Sequence, residues 1–308
     1  MTSDDYEILS KILKIFTSLS IITSVLDIFF YWFFPQNRNF SFSNIIILAI
    51  INLIYSISTL LPMDENLKEP ENSIICEIQS FFINMSHIAQ YLQVTILNYC
   101  IFIKIVKRNH LEKNYKLYRL LFFIILLLIP LSFSIYILVT KSYGNSGVFC
   151  WVDIYTSYKR SFIQKVILNY SVIIFFLFII NLFFIIKIKV TLTRNKIRNE
   201  IYYHLIKYPI ILLISSFPSI FNILYRLFND NQELKFFIYL QIIFESSFGM
   251  VINIIFISSP WIKQSIVGVV ISYRNNNNLE EHYMPIREPT KFGESSYRET
   301  MITNKKIY

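Results

Sequence analysis

The chain reads LLFFIILLLIPL at residues 120–131, a run without one charged or hydrogen-bonding side chain. A helix on a soluble protein keeps a polar face, so a run that is apolar on every side predicts a helix surrounded by lipid. Segments of this kind recur, each with 18 or more largely apolar residues, enough for a helix to cross a hydrocarbon core of about 30 Å. They cover residues 15–32, 44–61, 76–103, 120–140, 162–186, 208–228 and 236–258. The sequence therefore predicts an all-α membrane protein that folds as a seven-transmembrane helix bundle.

Composition and charge agree with a membrane chain, because 54% of the 308 residues are apolar and 16% are charged. Lys and Arg concentrate in the third and fifth connections and beyond the seventh segment, whereas acidic residues dominate before the first segment and in the second connection. By the positive-inside rule, the N-terminus lies outside and the C-terminus in the cytoplasm. The fourth connection is an exception, because Lys141, Lys159 and Arg160 would lie outside. The net charge of +9 thus indicates membrane orientation rather than a nucleic-acid partner.

The domain organisation follows from these segments. Residues 1–14 are predicted to form a short extracellular N-terminus, 15–258 the seven-helix transmembrane domain, 259–272 an amphipathic juxtamembrane helix, and 273–308 a disordered cytoplasmic tail. The acidic start and the bulky end of the first segment are unlike a cleavable signal peptide, so we expect the first helix to remain as an anchor. Ser and Thr in the tail are candidate phosphorylation sites, where kinase or arrestin-like regulators could bind. The expected location is the plasma membrane.

Two of the three cysteines lie where the predicted topology allows them to pair. Cys76 is at the outer end of the third segment, and Cys150 is in the outer loop between the fourth and fifth. Disulfides persist in the oxidising environment that both would face. A bridge would tie the outer loop over the mouth of the bundle; two unpaired cysteines at the membrane edge are the alternative. Cys100, deep in the third segment, is expected to be an ordinary packed thiol.

The third segment carries a polar stripe. At 100° per residue, four of its side chains fall within about 60° of one another: Gln79, Ser86, Gln90 and Gln93. His87 lies at the flank of this stripe. Polar groups that face lipid are costly, so we expect the stripe to face the bundle interior. There it could line a ligand cavity, or it could form hydrogen bonds between helices.

Two acidic residues, Asp27 and Glu245, stand at membrane depth, and Arg226 lies at the outer end of the sixth segment. Glu245 in the seventh segment could meet Arg226 or a cationic ligand, or be a structural or protonated carboxyl. Arg226, at the outer end of the sixth segment, could bind an anionic ligand or extend to the lipid headgroups. Asp27, in the first segment, could hydrogen-bond Asn52 or Asn253, which is mainly a structural role. Each acidic residue costs about 2.5–3.5 kcal/mol to insert unless it is paired.

The sixth segment contains two prolines. Pro209 is expected in its first turn, where proline is tolerated, and Pro218 in mid-span, where it removes a backbone donor and kinks the helix. We predict that these two residues form the hinge on which the inner end of the sixth helix moves.

Short motifs occur in order along the chain: EIQSFF at 77–82, CW at 150–151, KYP at 207–209, YR at 225–226 and GMVIN at 249–253. With seven segments, an outer N-terminus and the cysteine pair, they resemble the cyclic-AMP-receptor-like family of G-protein-coupled receptors in slime moulds and fungi. The resemblance spans about residues 76–256.

The resemblance implies a receptor that binds an extracellular small polar molecule, such as a nucleotide or a sugar, and acts on a heterotrimeric G protein. Candidate ligand contacts are Gln79, Ile83, Ser86, His87, Trp151, Arg226 and Glu245. The G protein would bind a basic inner cleft, although such loops also attract anionic lipid. The residues of this cleft are Lys107, Arg108, Arg194, Lys196 and Arg198.

Other functions stay open. A transporter would show internal repeats, and we find none; a ligand-gated channel subunit of the chemoreceptor type would run in the inverse orientation. An enzyme is not predicted, because the four histidines lack metal-ligand spacing and no Gly-x-Ser-x-Gly or phosphate-binding glycine loop occurs. No metal or other cofactor is expected.

Overall fold

The computed structural model of the protein describes residues 3–34, 40–61, 74–106, 115–145, 150–152, 160–194, 200–228, 235–259 and 262–263. The elements are α1 (Ser3–Phe33), α2 (Phe40–Leu60), α3 (Ile74–Ile105), α4 (Tyr115–Val139), β1 (Tyr143–Asn145), β2 (Cys150–Val152), α5 (Arg160–Arg194), α6 (Glu200–Phe228) and α7 (Lys235–Ile257). Residues 264–308 are not among the described residues. They include the predicted tail and most of the predicted helix 259–272.

The described helices confirm the predicted seven-helix membrane bundle. All seven contain a stretch long and apolar enough to cross a membrane. Large apolar side chains are exposed on the surface of these helices, as in Phe29, Leu128 and Phe176. Lipid solvates such side chains as well as a protein core does, so these surfaces need no protein cover.

Several helices extend beyond the apolar segments that predict them. α1 begins at Ser3 rather than at residue 15, and α6 begins at Glu200 rather than at residue 208. Hydropathy marks the part of a helix that lies in lipid, whereas backbone hydrogen bonding continues into polar residues. The prediction that Pro209 lies in the first turn of the sixth helix is therefore wrong. Pro209 is in the third turn of α6, and both it and Pro218 are interior prolines.

α3 is the central helix of the bundle. In an apolar 18-residue stretch of α3, 78% of the residues are buried, against 17% in the corresponding stretch of α4. It packs against α2, α4, α5 and α6, while α1 lies between α2 and α7, and α6 lies between α5 and α7. The four residues of the polar stripe are all buried. The stripe therefore faces the bundle interior, as predicted.

A short β-hairpin joins α4 to α5 and adds the only described sheet to the all-helical prediction. β1 and β2 pair antiparallel, with Gly144 opposite Trp151 and Asn145 opposite Cys150. Strands of three residues are too short for an alternating apolar pattern to reveal them. We call the end of the bundle that carries β1 and β2 the hairpin end, and the other the opposite end.

The first turns of α1 pack against α7 at the hairpin end. Leu9 and Leu13 are buried beside Ile242, and the hydroxyl of Tyr239 donates to Asp5 Oδ1 at 3.0 Å. These contacts explain why α1 includes residues that were predicted to form the short N-terminal segment.

Candidate functional site

The hairpin is fixed to α3 by the predicted disulfide and by Gln79. Cys76 and Cys150 are bonded, with an S–S distance of 2.03 Å. One turn after Cys76, the Gln79 amide nitrogen donates to the carbonyl oxygens of Ser58 and Leu61, both at 3.1 Å. Its amide oxygen accepts from the Cys150 backbone N–H at 3.1 Å. Gln79 thus joins the end of α2, the start of α3 and β2; we call this set of contacts the Gln79 clamp.

A second contact fixes the other strand. The Tyr143 hydroxyl donates to the backbone carbonyl of Ser134 in α4 at 3.1 Å, and it also hydrogen-bonds Asn84 of α3. Burial raises the pKa of Tyr143 to about 12. Because α3, α4 and both strands are joined here, the hairpin is a fixed cover over this end of the bundle.

Below this cover, polar side chains surround Glu245, which lies near the middle of α7. Ser219 of α6 donates a short hydrogen bond to the carboxylate, and Gln241 hydrogen-bonds it as well. Tyr55 of α2 and Tyr91 of α3 lie near enough to interact electrostatically with the carboxylate. Two helices, α6 and α7, therefore hydrogen-bond this half-buried carboxylate, and tyrosines of α2 and α3 lie close to it.

Aromatic rings continue the site towards α2 and α3. The ring of His87 lies between Tyr55 and Tyr91, with centroid distances of 6.0 and 5.2 Å. Tyr91 also hydrogen-bonds Ser216 of α6. We call the whole group the Glu245 cluster; its members are Tyr55, His87, Tyr91, Ser216, Ser219, Gln241 and Glu245. The arrangement combines one acidic group with hydroxyls and ring faces, which suits a small polar molecule with donor groups or a cationic part.

The predicted ligand contacts fall into different places. His87 and Glu245 both belong to the Glu245 cluster. Gln79 makes three structural hydrogen bonds in the clamp, and Ser86 donates to the carbonyls of its own helix. Ile83 is a buried apolar residue. Trp151, on β2, packs against the buried cluster of the bundle, and the side chain of Arg226 lies outside the described residues.

Sequence reasoning missed most members of the Glu245 cluster. Tyr55, Ser216 and Ser219 lie in apolar segments, where a tyrosine or serine is common and gives no signal. Tyr91 lies on α3 one turn after His87, so helical spacing from His87 could have indicated it.

The predicted G-protein contacts are described only in part. Arg194 is exposed at the end of α5, whereas Lys107, Arg108, Lys196 and Arg198 lie outside the described residues. At the same end, His204 of α6 lies with Nε2 at 2.9 Å from the backbone carbonyl of Ile255 in α7. This contact joins α6 and α7 near the opposite end of the bundle.

The hydrogen bond predicted for Asp27 is not formed. The Asn253 amide nitrogen instead donates hydrogen bonds to Ser24 Oγ at 2.7 Å and to Thr23 Oγ1 at 3.1 Å. Both atoms lie one turn before Asp27, within easier reach of α7. Neither carboxylate oxygen of Asp27 has a hydrogen-bond partner among the described residues.

Comparison with known proteins gives one informative match. No family model matches the chain. Over 173 residues, 56% of the chain, it is 30% identical to latrophilin receptor-like protein A of Dictyostelium discoideum. The aligned region is 54% of that protein, so the chain spans about half the length of the curated relative it matches. A receptor-like relative and seven membrane-length helices fit a protein of the G-protein-coupled-receptor type; they do not single out the cyclic-AMP-receptor-like family.

Proposed function

We propose that the chain is a G-protein-coupled receptor that binds a small polar ligand at the Glu245 cluster. In this proposal the hairpin end faces the outside of the plasma membrane and the opposite end faces the cytoplasm. The basic third and fifth connections support this orientation, and the disulfide at the hairpin end supports it because such bonds persist outside the cell.

One observation carries the proposal: the Glu245 cluster joins α6 to α2, α3 and α7 in the membrane interior. A ligand that hydrogen-bonds Glu245 competes with Ser219 of α6. Its binding therefore weakens the hydrogen bond between α6 and α7. A ligand shifts a conformational equilibrium only through such a difference in affinity between two states.

The signal would travel along α6. Pro209 and Pro218 each remove a backbone donor within the helix, which lowers the cost of bending there. At the opposite end, α6 is held to α7 through His204 and Ile255. Release of that contact would open a cleft beside Arg194 for a heterotrimeric G protein.

The test is ligand-stimulated nucleotide exchange. Purified protein in lipid nanodiscs is mixed with a panel of heterotrimeric G proteins and a library of nucleotides, sugars and amines. We expect at least one compound to accelerate GDP release, and Glu245→Gln to lower its potency by tenfold or more through loss of a charge-assisted hydrogen bond. The matched control is Glu7→Gln, since Glu7 is an exposed carboxylate paired with Lys11.

Two results would contradict the proposal. Uptake of a labelled compound into vesicles, without any exchange on G proteins, would indicate a transporter. An epitope tag at the C-terminus that is accessible on intact cells would indicate the inverse orientation of a channel subunit.

A further inference from the structure

The Glu245 cluster also indicates the charge of the molecule that it would bind. Glu245 and His87 are half-buried, whereas Tyr55 and Tyr91 are buried. The carboxylate and the imidazole therefore keep some accessible surface, and the two tyrosines lie as walls beside them. The assignment of a ligand class to this site rests on the proposed function.

The Glu245 carboxylate has hydrogen bonds but no countercharge among the described residues. Ser219 donates to Oε1, and Gln241 hydrogen-bonds the carboxylate as well. Both are neutral groups, and Glu245 forms no ion pair with a described residue. A carboxylate at membrane depth is costly unless it is paired. A positively charged ligand would supply the missing pair.

Three aromatic rings lie on the α2 and α3 side of this carboxylate. The centroid of the His87 ring is 6.0 Å from that of Tyr55 and 5.2 Å from that of Tyr91. Both tyrosines are close enough to Glu245 to interact with its charge. The faces of aromatic rings carry partial negative charge, so they attract a cation and repel an anion. The rings and the carboxylate thus favour the same sign of ligand charge.

Two other ligand classes fit the cluster less well. A nucleotide or another anion would bring a second negative charge against Glu245, and this repulsion is strong in a medium of low dielectric constant. A neutral sugar could hydrogen-bond the carboxylate, but it would leave the charge uncompensated.

We propose that the ligand of the Glu245 cluster is a small organic ammonium ion with at least one N–H. Such a group forms a charge-assisted hydrogen bond to Glu245, which is stronger than the neutral one from Ser219 that it replaces. A quaternary ammonium ion has no donor and can contact only the rings. The need for an N–H follows from the same competition for Glu245 that would release α6 in the proposed receptor.

The experiment compares probes of similar size and different charge. They are phenethylamine, the neutral alcohol 2-phenylethanol and the anion 3-phenylpropanoate. Isothermal titration calorimetry at neutral pH uses the purified full-length protein in nanodiscs, with empty nanodiscs as the blank. Phenethylamine should bind tighter than 2-phenylethanol by tenfold or more, and 3-phenylpropanoate should bind least. Glu245→Gln should remove the preference for the amine and leave the affinity for the alcohol unchanged.

Asp27→Asn is the matched control. It also converts a carboxylate at membrane depth to its amide, but Asp27 lies outside the Glu245 cluster, so this variant should keep the preference for the amine. If Glu245→Gln does not fold, Tyr55→Leu and Tyr55→Phe take its place. The leucine removes a ring face and should reduce the preference for the amine, whereas the phenylalanine keeps the ring and should retain it.

Three outcomes overturn the proposal. The first is phenethylamine binding no tighter than the alcohol, or not at all. The second is tightest binding by 3-phenylpropanoate, and the third is an equal loss of amine preference in Asp27→Asn and Glu245→Gln. Amine binding without nucleotide exchange would support this ligand class and contradict the receptor. Exchange that depends on Glu245 and is driven by a nucleotide or a sugar would support the receptor and overturn this ligand class.

Discussion

The Gln79 clamp differs from a second group of buried polar side chains in whether the polar atoms have hydrogen-bond partners. We call this second group the Asp27 cluster; its members are Ser20, Asp27, Asn52, Tyr208 and Asn253. In the clamp, both amide atoms of Gln79 are bonded, and every partner is a backbone group. In the Asp27 cluster, Asn52 has an equally buried amide with no partner among the described residues. The residue types are closely similar, so chemistry alone does not explain the contrast.

Position along the helices explains it. The Ser58 carbonyl lies in the last turn of α2, where it accepts from the Leu61 N–H at 3.3 Å but lacks the regular helical donor four residues on, and the hairpin presents the Cys150 N–H. Gln79 lies at the level where these groups are available. Asn52 lies in the middle of α2, where every backbone group is already bonded within a helix. A polar side chain there must find another side chain, water or an ion.

The largest effect is expected from breaking the disulfide that lies beside the Gln79 clamp. Cys76→Ser breaks the bond to Cys150 and should lower the free energy of unfolding by about 2–5 kcal/mol. Thermal unfolding in nanodiscs measures the change. Cys100→Ala removes a buried free thiol and is the control, with a smaller expected loss. If both substitutions cost the same, the hairpin does not depend on its tie to α3.

The central comparison is tested by paired apolar substitutions. Gln79→Leu removes the acceptor of the Cys150 N–H and one donor each to the carbonyls of Ser58 and Leu61, and should cost about 1–3 kcal/mol. Asn52→Leu breaks no hydrogen bond that the structure shows. The thermal unfolding midpoint of this variant should therefore equal or exceed that of the unmodified protein. If both variants lose the same free energy of unfolding, the two regions do not differ in the way described.

The pH dependence of the hairpin end should follow Tyr143. Its pKa is raised to about 12 in the folded protein from an ordinary value of about 10, because burial disfavours the phenolate. The resulting contribution to stability is fully present below pH 10 and is lost as pH rises from 10 to 12. Tyr143→Phe should remove this part of the alkaline loss. Unfolding midpoints of both proteins from pH 8 to 12 measure the difference, and parallel curves would contradict the prediction.

The smallest effect concerns how closely α1 and α7 approach in the Asp27 cluster. Gly249→Ala places a methyl group against Ser20 Oγ and should cost about 1 kcal/mol, since overpacking a tight contact is destabilising. Ser20→Ala in the same chain should recover most of that loss, because the remaining contacts are to Asn52 Cβ at 3.3 Å and to Ser20 Cβ at 3.4 Å. A double-mutant cycle of unfolding free energies measures the coupling. Additive losses would show that the two residues do not touch.

Much of the architecture was predictable from the sequence. Hydropathy located seven spans, and the placement of Cys76 and Cys150 at one predicted end indicated the bridge that the structure contains. The polar stripe on α3 was correctly expected to face inward. Helix ends and the turn occupied by Pro209 were not predictable, since hydropathy reports the membrane boundary rather than the end of backbone hydrogen bonding.

The candidate site was predictable only in part. Glu245 and His87 stand out in the sequence because a charge or an imidazole is rare at membrane depth. Tyr55 and Ser219 do not stand out, and their proximity to Glu245 depends on how α2 and α6 pack against α7. Gln79 was expected to contact ligand, yet in the structure its amide is occupied by backbone groups.

The sequence by itself determined how many helices are long and apolar enough to cross the membrane and which of their faces are polar. Both properties depend only on residues that lie close together in the chain. Only the tertiary structure decided which polar groups become partners. Asp27 and Tyr208, or Ser219 and Glu245, lie far apart in the chain, and the packing of the helices sets the distance between them. That packing gives the Glu245 carboxylate a hydrogen bond from Ser219 and leaves the Asp27 carboxylate without a hydrogen-bond partner among the described residues.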